Sequence, residues 1–198
     1  MTAAFASRVT SQYRTVLREI SPDARRITDK TPANFVWVGL IHLLFPNARI
    51  IHCKRHPIDT CLSVYATYFS ARMDFAADRG DLAFFYEQYL RLMAHWKAVL
   101  PPNRLYETQY EALVACREPR SRELVAFCGL EWDDACLAPE RNERVVRTAS
   151  VWQARQPVYR TEMERWRRYE PWLGELRRLV PADTEAVGCL EHSGEGNE

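Results

Sequence analysis

Apolar and polar positions alternate in blocks whose spacing changes along the chain. Phe5, Val9, Val16, Leu17 and Ile20 recur at helical intervals with Arg and Ser between them, so residues 5–20 predict a helix, ended by Ser21-Pro22-Asp23. Arg25 to Thr28 reads as a short strand leading into Asp29-Lys30-Thr31-Pro32. Residues 33–45 are apolar almost throughout and predict a largely buried helix closed by Pro46-Asn47. Ala48 to Cys53 is short, β-branched and bounded by turn signals, which makes it the clearest strand. Arg55 stands at its tip. Pro57 follows where the first turn of a helix tolerates it, and that helix is expected to run through Leu62, Tyr65 and Phe69.

Farther along, Arg72 to Asp81 is polar and reads as a loop. Leu82, Phe85, Tyr89, Leu92, Met93, Trp96 and Val99 trace a long amphipathic helix stopped by Pro101-Pro102. Arg104 to Tyr110 is a further strand candidate. Ser121 to Cys128 predicts a helix with Gly129 at its C-terminus. The pattern weakens over 139–157 and returns to helix, rich in Trp and Arg, over Met163 to Val180. Strands alternating with helices imply an α/β domain, a mostly parallel sheet flanked by helices, over residues 1–180, with 181–198 a polar acidic tail. In such folds ligands bind beyond the carboxyl ends of strands, and Lys30, Arg55 and Tyr110 each end or follow a predicted strand.

Composition narrows the function classes. Apolar residues make up 47% and aromatic residues 12% of the 198 positions, which supplies a core and argues against disorder. The 27 Lys and Arg against 26 Asp and Glu leave a net charge of +1. That balance gives no general attraction to nucleic acid or membrane, so any anion site is local. The longest apolar run falls short of the roughly 20 residues of a membrane span, and the N-terminus lacks the pattern of a secretory signal. A cytoplasmic protein is the expectation. The six cysteines are scattered, with no Cys-x-x-Cys pair and no His at zinc-site spacing, and are expected to be reduced, buried thiols with no metal.

The strand, arginine and helix of Ala48 to Tyr65, with Ser63 eight positions beyond Arg55, suit a phosphate group, because a helix N-terminus offers unpaired N–H groups. Taken singly, the residues have ordinary explanations: Arg55 pairing with Asp59 one turn on, Ser63 a plain helix serine, Lys30 a solvated loop residue, Tyr110 half-buried core. Taken together, they resemble a family. Asp29-Lys30-Thr31-Pro32, Leu44-Phe45-Pro46-Asn47-Ala48-Arg49-Ile50-Ile51, the stretch Arg55 to Ser63, Tyr110-Glu111-Ala112-Leu113-Val114, Phe127 to Trp132, Arg147 to Tyr159 and Arg165-Trp166 are similar in order and spacing to the sulfotransferases. The likeness is greatest to the branch of tyrosylprotein sulfotransferases and bacterial proteins in which tetratricopeptide repeats precede the transferase domain.

The resemblance implies a P-loop-like sulfotransferase fold and 3′-phosphoadenosine 5′-phosphosulfate as sulfuryl donor, with no metal. By position, Arg55 and Ser63 would hold the 3′-phosphate, Arg165 would add a phosphate contact and Tyr110 would line the nucleotide. The Ser150 to Tyr159 segment, with Arg155, would close over it, and Lys30 and Ser150 would stabilise the transition state. The acceptor would be a hydroxyl on a protein tyrosine, a glycan or a small compound. The family's N-terminal strand-loop-helix unit, with its Gly-rich 5′-phosphosulfate loop and acidic base, has no counterpart in residues 1–29, which contain no Gly. The chain therefore reads as part of a longer transferase or as an inactive nucleotide-binding or structural remnant. A helical interaction protein, using the aromatic face of residues 82–100 or the Trp/Arg helix of 163–180, is a third reading. A sheet lacking a central strand would leave an edge suited to pairing in a homodimer.

Overall fold

The computed structural model describes residues 2–67, 73–142 and 163–180. In chain order these form α1 (Ala3–Ile20), α2 (Asn34–Leu44), β1 (Ile50–Lys54), α3 (Pro57–Tyr65), α4 (Arg79–Val99), β2 (Leu105–Gln109), α5 (Tyr110–Ala115) and α6 (Arg117–Phe127). Short 3-10 segments occupy Asp74–Ala77, Asp134–Leu137, Pro139–Arg141, Arg165–Trp172 and Gly174–Leu179. The chain divides into two compact units, one of residues up to Ile50 with Tyr89–Leu105, the other of Ile51–Gln88 with the residues from Tyr106 onward.

In the first unit Thr2 caps α1, its hydroxyl accepting from the Phe5 N–H at 3.3 Å. The expectation that 33–45 is largely buried fails. Only Val38 of α2 is buried, while Trp37 is 57% and Leu43 69% exposed. The reason is that α2 packs through one face. Trp96 lies against Gly39 so closely that a Cβ there would stand 2.7 Å from its ring. The Trp96 indole N–H donates to the Phe35 carbonyl at 2.8 Å, and Phe35 meets Tyr89 edge-on at 5.2 Å. A helix apolar on every side buries all of it only when covered on every side.

In the second unit β1 and β2 pair in parallel as a two-stranded sheet among the described residues. Their common direction brings His52 opposite Glu107. On α3, Ile58 and Cys61 share one face at a spacing of three. They pack with Leu82, Ala83, Trp166, Leu173, Leu176 and Leu179 into a single cluster. Full burial of each large aliphatic side chain in such a cluster stabilises by roughly 1.5–3 kcal/mol. The fold class is the expected α/β arrangement, more helical than the sequence implied.

Four element boundaries differ from expectation. Arg25 to Thr28 is not a strand: two arginines and one apolar residue give it little to bury, and an isolated strand is unstable without a partner. Met163 to Val180 forms two 3-10 segments instead of one α-helix, because Pro171 supplies no N–H and Gly174 turns into the left-handed region at φ 51°. The helix expected from Ser121 begins at Arg117. The loop expected over 72–81 contains the Asp74–Ala77 turn and the start of α4. Phe69 lies outside the described residues. Gly129 ends α6 with φ 66°, as its position predicted. Cys53, Cys61, Cys128 and Cys136 are free thiols as expected, but of these only Cys61 is buried, and Cys116 is in a disulfide.

Candidate functional site

Arg55 leaves the tip of β1 and His56 caps α3, with Pro57 at the first helical position. The anion capacity of this helix end is smaller than the sequence implied, because the chain supplies its own anions there. The His56 N–H donates to the Glu111 carboxylate at 2.8 Å. Pro57 has no N–H. The Thr60 N–H is bonded to the His56 carbonyl at 3.0 Å. At most two amides, those of Ile58 and Asp59, are left for an external anion, so the guanidinium of Arg55 has to dominate any phosphate binding at this point.

Tyr110 is the first residue of α5, directly after β2. Since β1 and β2 run parallel, both strand ends open at one edge of the sheet, and the Arg55 guanidinium carbon lies 5.4 Å from the centre of the Tyr110 ring. At that distance the aromatic face orients the cation. Ser63 is exposed in the second turn of α3, about 10 Å along the axis from the cap at 1.5 Å per residue. Its carbonyl accepts from the Thr67 hydroxyl at 2.6 Å. Arg165 opens the Arg165–Trp172 segment and is exposed. Ser150 and Arg155 lie outside the described residues.

Lys30 belongs to the first unit. It is exposed in an irregular stretch between α1 and α2, so it does not follow a strand as expected. Its neighbour Asp29 accepts from the Tyr13 hydroxyl at 2.6 Å and from the Asn34 side-chain amide at 3.3 Å. The bond to Asp29, with burial adding to it, pushes the Tyr13 phenol up to about 12.

The profile of the Sulfotransferase family matches residues 1–134, a stretch containing Lys30, Arg55, Ser63 and Tyr110. The chain belongs to the sulfotransferase family. It is also 42% identical over 151 residues to a protein of Aquifex aeolicus (strain VF5) described as uncharacterized, a match covering 75% of this chain and 20% of that relative. The sulfotransferase chain thus spans about a fifth of the relative's length. Among the described residues no group of His, Cys, Asp and Glu is arranged to hold a metal ion. None of their helices is long and apolar enough to cross a membrane.

Sequence reasoning missed the contacts that lie behind Arg55 and Tyr110. Asp59 is only 3% exposed, and its Oδ1 accepts from the Trp166 backbone N–H at 2.7 Å. The His56 ring stacks on the Trp166 indole with centroids 5.1 Å apart and planes within 5°. Burial pushes the Asp59 carboxyl up, opposed by the Trp166 amide and the Arg55 charge. Burial likewise pushes the His56 imidazole down, opposed by Asp59 and Glu111. On the paired strands Glu107 meets His52 Nδ1 at 3.0 Å and Lys54 Nζ at 3.7 Å. The signals available beforehand were an acid at the third position of a predicted helix and its spacing from Arg55, which suggested that pair; the Trp166 amide it accepts from lies 107 positions away and has no local mark.

Proposed function

We propose that this sulfotransferase takes its sulfuryl group from 3′-phosphoadenosine 5′-phosphosulfate and passes it to a hydroxyl acceptor. The observation that carries the reading is the Arg55 guanidinium over the Tyr110 ring at the shared edge of two parallel strands. A planar guanidinium gives a phosphate two parallel bonds, and an aromatic ring beside it gives a purine a stacking surface. That donor set fits the 3′-phosphate half of the nucleotide. Ser63 and Arg165 are assigned further phosphate contacts, and Arg155 a contact from the closing segment. Lys30 and Ser150 are assigned to the charge that develops on the transferring oxygens.

When bound, the donor supplies an activated sulfuryl group open to in-line displacement, by analogy with phosphoryl transfer. The chain's own contribution is then positioning and electrostatic stabilisation. Arg55 fixes one end of the nucleotide, while a lysine point charge and a serine hydroxyl suit spread negative charge. The acceptor is a protein tyrosine, a glycan or a small hydroxyl compound. The absence of Gly from residues 1–29 favours completion of the 5′-phosphosulfate cradle by a segment beyond these residues. It equally motivates the second reading, an inactive nucleotide-binding remnant. The free thiols accord with a cytoplasmic setting, and the Cys116 disulfide is the feature against it.

Calorimetry with 3′-phosphoadenosine 5′-phosphate tests the site. Binding is expected in the wild type and is weakened at least about tenfold in Arg55→Ala, the loss of a charge-assisted bond pair. Arg55→Lys does not restore it, because the fork geometry is lost. No heat in the wild type, or equal affinity in Arg55→Ala, sinks the assignment. Label transfer from a radioactive donor to tyrosine peptides, glycans and small phenols then separates the enzyme from the remnant.

A further inference from the structure

We propose that Asp59 is a positioning residue: its carboxylate seats the Arg165–Trp172 segment on the first turn of α3 and so fixes Arg165 for the nucleotide's 3′-phosphate. The inference rests on the nucleotide reading above. An acid at the third position of a helix ordinarily turns back to cap its own N-terminus. Here Glu111, from α5, occupies the His56 N–H at 2.8 Å. Asp59 is thereby released, and its Oδ1 reaches 2.7 Å to the Trp166 N–H.

The cost of burying a carboxylate makes this bond informative. Asp59 is 3% exposed inside a face whose neighbours Ile58 and Cys61 are apolar, and an apolar side chain there would avoid the desolvation penalty. A buried acid is tolerable when it answers a specific donor, and the donor it answers sits on the residue next to Arg165. The segment that carries Arg165 has little means of placing itself. It opens at Glu164 in the left-handed region, φ 54°, it is 3-10 in form, and Pro171 interrupts its amides. Two further holds complete the tether: Trp166 is packed in the core and stacked on His56, and Arg79 Nη1 donates to the Trp172 carbonyl at 2.8 Å. The first turn of α3 is thus joined to the Arg165 segment by the Asp59–Trp166 bond and by the stacking of His56 on Trp166.

The test compares affinity for 3′-phosphoadenosine 5′-phosphate with that for adenosine 5′-phosphate, which lacks the 3′-phosphate. Hydrogen exchange at the Trp166 amide is followed without ligand. Asp59→Ala is expected to lower the preference for the 3′-phosphate by the same factor as Arg165→Ala, at least about fivefold. The double variant is expected to be no worse than either, the mark of coupled residues. Asp59→Asn keeps an acceptor oxygen and is expected to hold the preference and the Trp166 protection, whereas Asp59→Ala exchanges faster. Should Asp59→Ala not fold, Asp59→Leu fills the space without an acceptor and takes its place. An intact preference in Asp59→Ala, independent factors in the double variant, or an Asn variant as poor as Ala overturns the proposal. A wild type that binds both nucleotides equally overturns the donor reading and the positioning role with it. Faster Trp166 exchange in Asp59→Ala would then still establish the tether, and unchanged exchange would remove that as well.

Discussion

Removing the Glu111 carboxylate is expected to destabilise the second unit at the turn that carries Arg55. Glu111 Oε1 accepts from the His56 N–H at 2.8 Å and joins residues 55 positions apart. A hydrogen bond to a charged group contributes about 1.5–3 kcal/mol net, and an acid beside a helix N-terminus adds about 0.3–1 kcal/mol. Both residues are half-buried, so solvent screening lowers the sum and about 2 kcal/mol is the expected loss in Glu111→Ala. With a urea slope of about 2 kcal/mol per molar, that moves the unfolding midpoint down by about 1 M. Glu111→Gln keeps an acceptor without the charge and should lose about half as much. The assay is urea unfolding followed by circular dichroism and tryptophan fluorescence, with the slope checked for constancy. A midpoint within about 0.2 M of wild type in Glu111→Ala would refute the reasoning. So would a Gln variant as weak as Ala, since the oxygen would then not be what matters.

Leu176→Ala, at a site with no exposure, should cost about 2–5 kcal/mol, while Leu43→Ala, 69% exposed, should stay within about 0.5 kcal/mol. Comparable losses in thermal unfolding would contradict the division between core and surface. The Tyr13 phenol is held above its ordinary value, so the native state keeps that proton longer than the unfolded chain does. Its contribution is present below pH about 10 and is lost as pH rises toward about 12. Wild type should therefore lose more stability than Tyr13→Phe across that window, and identical losses would show that the bond to Asp29 does not matter.

The helices over 5–20 and 82–99 were legible in the sequence through a local period of about 3.6 residues, and the helix over 33–45 and the strand after Ala48 as apolar runs bounded by turn signals. Gly129 was legible for a similar reason: a left-handed helix end is a property of one residue and its own backbone. Arg55 and Tyr110 could be expected at one edge because both follow strands, and a parallel pairing brings strand ends together. The Arg25 to Thr28 strand and the 163–180 helix were misread where local preference was weak and the deciding feature was a missing partner or one proline.

The sequence by itself determined the alternation of elements, the family's ordered motifs and the residue types of a phosphate site. The tertiary structure alone decided which anions face the start of α3. Glu111 and Asp59 are both acids near a helix or strand end in the sequence, and nothing local separates their tasks. Packing does: it sends one to the His56 amide and buries the other against Trp166, 107 positions away. A buried polar group has to find its partner wherever the fold places one, and that partner is fixed by the three-dimensional path of the chain.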